Sequence, residues 1–288
     1  MELSVADRAT LDANYNLRAA VPEHLEYFAR YEAASEQLRT RWGGRLDLAY
    51  GTTPRQAIDL FVPQAERAPL LVFIHGGYWQ SRDRKDFSFV AGPWLERGVA
   101  VALIGYDLAP DVRMDAIVEQ VRLGIAWLHR HAASHRCDPS RLFVAGHSAG
   151  GHLAAMTLAT EWPTLGLPND VIKGVCAISG VFDLEPIRLC YLNEVLGLAP
   201  DEARRNSPIH LPILQDCPVT IAVGERETGA FHEQSRTYAA KLERAGRSCE
   251  LLVQPDVDHF GIVMSMADRD APIVRAIARQ MGLPAPPT

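Results

Sequence analysis

Gly146-His147-Ser148-Ala149-Gly150 decides the fold. It has the form Gly-x-Ser-x-Gly, and its flanks can be read in the chain itself. Arg141-Leu142-Phe143-Val144-Ala145 before it is a short apolar run that predicts a buried strand. Gly151 to Thr160 after it is rich in Ala and Leu with no breaker, which predicts a helix. Small residues let a backbone turn sharply from strand to helix with Ser148 at the apex. Its hydroxyl then projects from the sheet edge, and the Ala149 amide faces any oxyanion that forms there.

Outward from this turn, strands and helices alternate. Strands are predicted at Leu70–His75, Val99–Ile104, Val171–Ile178, Pro218–Val223 and Cys249–Val253. Helices are predicted at Asp86–Glu96, Met114–His131, Glu233–Ala245 and Ala271–Met281. In the second of these, Ile117, Val121, Ile125 and Leu128 share one face. Two earlier strands, Leu46–Tyr50 and Ala57–Val62, flank a short turn and are expected to pair antiparallel. The alternation predicts an α/β fold: a mainly parallel central sheet covered by helices on both faces. A single domain over residues 1–288 is expected. It includes a helical extension over about 1–40, broken near Pro22, and a segment over about 183–214 that interrupts the alternation, either as a cap beside the site or as a plain surface excursion.

The 288 residues are 48% hydrophobic and 22% charged, with a formal net charge of −6 and no basic run. That balance suits a globular protein with a substantial core and excludes a nucleic-acid partner. No apolar stretch reaches the length of a membrane span, and the N-terminus has no signal core. Cys137, Cys176, Cys190, Cys217 and Cys249 are odd in number and widely spaced, so structural disulfides are not expected and a cytoplasmic location is. No His, Asp or Glu cluster has metal-ligand spacing, and no cofactor is expected. A small-molecule substrate is the expected partner; a homodimer is left open.

A serine hydroxyl needs a base to take its proton. His259, in Asp258-His259-Phe260 just after the last strand, stands at the carboxyl-end rim where such groups gather. His147 and His152 are nearer in sequence but badly placed as bases: His147 is expected to point off the turn and away, and His152 lies on the helix after it. The base in turn needs a carboxylate. Glu225 and Glu227 follow the strand ending at Val223, and Glu227 reaches further over the rim; Asp183, after the preceding strand, competes with them. His75-Gly76-Gly77-Tyr78-Trp79 follows a buried strand. An amide of Gly76 or Gly77, with that of Ala149, would complete an oxyanion hole. His75 is expected to orient this loop by hydrogen bonding.

Together these segments resemble the α/β-hydrolase superfamily, and in detail its kynurenine formamidase (arylformamidase) branch. The resemblance spans most of the chain. It includes Asn14-Tyr15-Asn16, His75 to Trp79, Tyr106-Asp107-Leu108-Ala109-Pro110, Gly146 to Leu153, Ile178 to Leu184, Ser207-Pro208, Phe231 to Ser235 and Asp258-His259-Phe260. By position it implies Ser148 as nucleophile, His259 as base and Glu227 as acid, where the family usually has Asp. It implies hydrolysis of N-formyl-kynurenine to formate and kynurenine, with Tyr78, Trp79, Phe231 and Phe260 as walls for the aromatic ring. A carboxylesterase acting on small acyl or aryl esters uses the same machinery and is the alternative. A binding module of this fold would lack the nucleophile or the base; this chain has both.

Overall fold

The computed structural model describes residues 5–284. Eight strands form one sheet in the order β1-β2-β4-β3-β5-β6-β7-β8. They are β1 (Arg45–Ala49), β2 (Ala57–Phe61), β3 (Ala68–Ile74), β4 (Ala100–Ile104), β5 (Cys137–His147), β6 (Ile172–Ile178), β7 (Val219–Gly224) and β8 (Cys249–Gln254). Only β1–β2 and β2–β4 pair antiparallel; every pairing from β4 to β8 is parallel. Strands β2, β3, β4 and β7 are buried at every residue, as expected for a sheet covered on both faces.

The covering helices are α1 (Val5–Tyr15), α2 (Leu17–Ala20), α3 (His24–Trp42), α4 (Gly92–Leu95), α5 (Met114–His131), α6 (Ala149–Thr157), α7 (Glu185–Leu189), α8 (Asn193–Leu196), α9 (Pro200–Arg205), α10 (Gly229–Arg244), α11 (Gly261–Met264) and α12 (Pro272–Gln280). The boundaries of α5 are those its periodicity predicts. The helix expected over Asp86–Glu96 is instead a 3-10 segment, Arg84–Ala91, running into the single turn α4. An Asp83–Asp86 capping box starts that segment, and Pro93 begins the turn of α-helix.

Two features position the site. First, β5 turns directly into α6 at Ser148, which has φ 59° and ψ −118°. That strained backbone typically costs about 1–3 kcal/mol. It is held by the Ser148 amide donating to the Ile178 carbonyl at 2.8 Å and by the His152 amide donating to the Ser148 carbonyl at 3.0 Å. A side chain at Gly150 would meet the Ile74 carbonyl at 2.0 Å, so α6 can start against β3 only with glycine there. Second, the N-terminal helices are stitched onto the rim. The Tyr191 amide donates to Asp12 at 2.7 Å, Thr228 Oγ1 to the Asn14 carbonyl at 2.8 Å, and Gln234 Nε2 to the Tyr15 hydroxyl at 3.1 Å. All five cysteines are unpaired, and no described helix is long and apolar enough to cross a membrane.

Candidate active site

The loops leaving the carboxyl ends of β3, β5 and β8 meet at a cavity of about 400 Å³. Ser148 and His259 both line it, as do Gly76 and Gly77. His259 follows β8 in a turn built by Asp258. One Asp258 oxygen accepts from the Phe260 and Gly261 amides at 2.9 and 2.8 Å, and the other accepts from the Tyr27 hydroxyl at 3.1 Å. The Tyr31 hydroxyl donates to the Phe260 carbonyl at 2.6 Å, so α3 pins this turn from two positions one helical turn apart.

The His259 ring is nearly fully buried. Its Nδ1 donates to Glu227 Oε2 at 2.7 Å, and the Glu227 side chain is completely buried. The other oxygen, Oε1, accepts from the Gly224 amide at 2.7 Å and from the Ser179 hydroxyl. A carboxylate held by three donors stays where it is, and it commits the imidazole to carrying its proton on Nδ1. The ring nitrogen left to exchange a proton is Nε2. Neither Nε2 nor Ser148 Oγ is hydrogen-bonded, to the other or to any other described group. The ring is wedged between Phe231, His147 and Phe260 at centroid distances of 4.7, 4.6 and 5.5 Å.

The other two carboxylates lie elsewhere. Glu225 Oε2 accepts from the Asp256 amide at 3.0 Å. Asp183 begins the next helix by accepting from the Glu185 amide at 2.9 Å and stands 4.0 Å from His210. Glu227→Ala is therefore expected to lower kcat by about 10²- to 10⁴-fold, and Asp183→Ala to leave it within about threefold. Steady-state kinetics on the two purified variants checks this; a silent Glu227 with a crippled Asp183 variant would reverse the assignment.

The His75–Trp79 loop abuts the serine turn closely. A methyl group on Gly76 would lie 3.0 Å from Ser148 Cβ. Gly77, Tyr78 and Trp79 then take φ of 118°, 49° and 58°, a run of left-handed positions that turns the loop away from β3. Among the described residues the amides of Gly76, Gly77 and Ala149 donate to no protein acceptor. Free donors beside a serine hydroxyl are what an oxyanion needs. The loop is locked from behind. His75 Nδ1 donates to the Gly76 carbonyl at 2.8 Å, and its ring stacks on Tyr106 at 4.4 Å. Burial lowers the His75 pKa to about 4, so it stays neutral in this role.

Two of the four aromatic walls expected from the sequence are corrected. Tyr78 and Phe260 line the cavity; Trp79 and Phe231 do not. Trp79 is fully buried and its Nε1 donates to His152 Nδ1 at 3.2 Å, while His152 Nε2 donates to the Asn206 carbonyl at 2.6 Å. The indole thus ties the glycine loop to α6 and to the end of α9. Phe231 is fully buried behind His259 and braces it. A second correction concerns His147, which does not point away. Its Nε2 donates to the His259 carbonyl at 2.8 Å, and burial together with the neighbouring His259 pushes its pKa well below the usual imidazole range.

Several lining residues escaped the sequence reading. Phe28 and Tyr31 come from α3, and Asn16, Leu17 and Arg18 from the N-terminal arm. The aromatic stripe Tyr27, Phe28, Tyr31 on a largely polar helix was the available signal. The segment after Asp183 contributes Tyr191 and Leu192 to the cavity wall. Among the described residues no cluster of three or more His, Cys, Asp or Glu side chains could hold a metal ion.

Comparison with known proteins matches residues 58–242 to the BD-FAE family. The chain is 36% identical to the kynurenine formamidase of Salmo salar over 245 residues, 82% of each chain. It is 33% identical to the kynurenine formamidase of Danio rerio over 258 residues, 87% of this chain and 86% of that one. Among solved structures, a Silicibacter protein provisionally described as a thioesterase superposes with a TM-score of 0.82 at 32% identity, covering 93% of this chain and 98% of its own. A bacterial heroin esterase superposes with a TM-score of 0.68 at 23% identity, covering 98% of this chain and 92% of its own, and so shares the fold.

Proposed function

The chain belongs to the kynurenine formamidase family of α/β-hydrolases, and from that membership we propose that it cleaves an aryl formamide such as N-formyl-kynurenine to formate and the aryl amine. This reaction is a step of tryptophan breakdown. The observation that carries the reading is identity of 33–36% to two kynurenine formamidases over 82–87% of this chain.

In the proposed mechanism Ser148 Oγ attacks the formyl carbon while His259 Nε2 takes the hydroxyl proton. The carbonyl π electrons move to oxygen, and amides of the Gly76–Gly77 loop and Ala149 hold the resulting oxyanion. One such donor is worth about 3–4 kcal/mol in the transition state. Glu227 stabilises the imidazolium through Nδ1. The intermediate collapses, the C–N bond breaks, and His259 returns its proton to the departing aryl amine. Water then gives a proton to the same nitrogen as it attacks formyl-Ser148. A second tetrahedral intermediate expels the serine oxygen, which recovers the proton, and formate leaves.

Tyr78, Phe260, Phe28 and Tyr31 supply aromatic surface beside Ser148, which supports an aryl leaving group. The five unpaired cysteines support a reducing, cytoplasmic setting.

The same machinery hydrolyses esters, and similarity to a probable isoprenylcysteine alpha-carbonyl methylesterase of Oryza sativa, 25% identical over 75% of this chain, keeps a small-ester esterase as the second reading. Turnover of N-formyl-kynurenine measured against p-nitrophenyl acetate and butyrate separates the two. The formamide is expected to be hydrolysed with release of formate. A formamide left intact by enzyme that rapidly cleaves the butyrate ester would select the esterase.

A further inference from the structure

The cavity is electrically one-sided. Its lining includes two arginines, Arg18 and Arg82, and no carboxylate. The two are not equivalent. Arg82 is mostly buried, lies 3.6 Å from Asp86 and 3.7 Å from Glu32, and has its guanidinium carbon 3.4 Å from the centroid of Phe28. Its charge is matched within the protein. Arg18 is exposed and among the described residues forms no ion pair or hydrogen bond through its side chain.

The backbone that carries Arg18 is nonetheless fixed. Asn16 caps α2 by accepting from the Ala19 amide at 3.2 Å, and Leu17 is buried. The Tyr15 carbonyl one step earlier accepts from the Tyr78 hydroxyl at 2.8 Å. A rigid arm thus presents an unmatched guanidinium at the open end of a cavity whose buried end holds Ser148. An aryl formamide with its formyl carbon at Ser148 extends its amine portion along the aromatic wall toward that open end.

We propose that Arg18 recognises a carboxylate on the amine portion of the substrate, making the enzyme selective for anionic or zwitterionic aryl formamides over neutral ones. The inference rests on the formamidase reading and adds the charge that the leaving group carries. Guanidinium and carboxylate fit as a bidentate pair, which is why arginine and not a bare point charge suits the task. At a partly solvated rim the contribution is modest.

The test compares kcat/KM for N-formyl-kynurenine, whose side chain ends in a carboxylate, with that for neutral formanilide. In Arg18→Ala the ratio of N-formyl-kynurenine to formanilide is expected to fall about three- to tenfold, through KM, with Arg18→Lys retaining part of it. A ratio unchanged in Arg18→Ala, including a loss shared equally by both substrates, overturns the proposal. If wild-type enzyme hydrolyses no formamide, it is the formamidase reading that fails, and kynurenine is then tested as a competitive inhibitor of p-nitrophenyl acetate hydrolysis. An inhibition constant raised at least threefold in Arg18→Ala supports the subsite; an unchanged constant, or no inhibition of wild type, removes it.

Discussion

Replacing Ser148 with alanine is expected to lower kcat by about 10⁴- to 10⁶-fold. That corresponds to roughly 5.5–8 kcal/mol of lost transition-state stabilisation. The effect should be confined to chemistry. Ser148 Oγ makes no hydrogen bond among the described groups, and alanine meets the same backbone strain at φ 59° because both residues carry a Cβ. Thermal unfolding of the variant should therefore match that of wild type. Residual turnover would come from the amides of the glycine loop acting on bound substrate. A fluorophosphonate probe supplies an independent readout, since it reacts with activated serines: wild type should label and Ser148→Ala should not. An alanine variant that keeps more than about one per cent of wild-type kcat would remove Ser148 as nucleophile.

His259→Ala is expected to be as damaging, again by about 10⁴- to 10⁶-fold in kcat, but with a structural cost that Ser148→Ala lacks. The imidazole fills the space between Phe231, His147 and Phe260 and is the partner of a fully buried carboxylate. Its removal opens a void and leaves Glu227 with only the Ser179 hydroxyl and the Gly224 amide as donors. A destabilisation of about 2–4 kcal/mol results from these two terms. His259→Gln fills more of the space and can still donate to Glu227, but it cannot act as a base. It should recover much of the lost melting temperature and none of the activity. Fluorophosphonate labelling should vanish in both variants while Ser148 remains in place, because the probe reads activation of the hydroxyl and not its presence. Labelling at the wild-type rate in His259→Gln would mean that another group activates the serine.

The turn at Ser148 and the histidine proposed as its base were legible for different reasons. Gly-x-Ser-x-Gly between an apolar run and an Ala-rich run is a local steric pattern. A side chain at Gly150 would strike the β3 backbone in any chain that turns there, so the spacing itself implies the geometry. His259 was legible by position, since the last strand of such a sheet delivers the loop after it to the carboxyl-end rim. The choice among carboxylates was not local. Glu225 and Glu227 leave the same strand two residues apart, yet one binds the Asp256 amide and the other folds back onto Gly224 and His259. Nothing in Gly224-Glu225-Arg226-Glu227 specifies that difference; it comes from the path of the loop after β8.

The aromatic residues make the same point from the other side. Tyr78 and Trp79 are adjacent and both aromatic, but one faces the cavity and the other is sealed inside. The sorting is made by His152, 73 residues away, which accepts the indole N–H.

The sequence by itself determined the order of the strands and of the long helices, the parallel character of the sheet, and the serine turn. Each of these comes from apolar periodicity or backbone sterics within a window of a few residues, and such information is complete in the local chain. Only the tertiary structure decided which carboxylate meets the imidazole, which rings line the cavity, and that the N-terminal arm and α3 form part of its wall. Those outcomes depend on contacts between residues 32 positions apart, as for Glu227 and His259, or 231 apart, as for Tyr27 and Asp258. A side chain's partner at such separations is set by how the whole sheet twists and its helices pack, and no short stretch of residues carries that information.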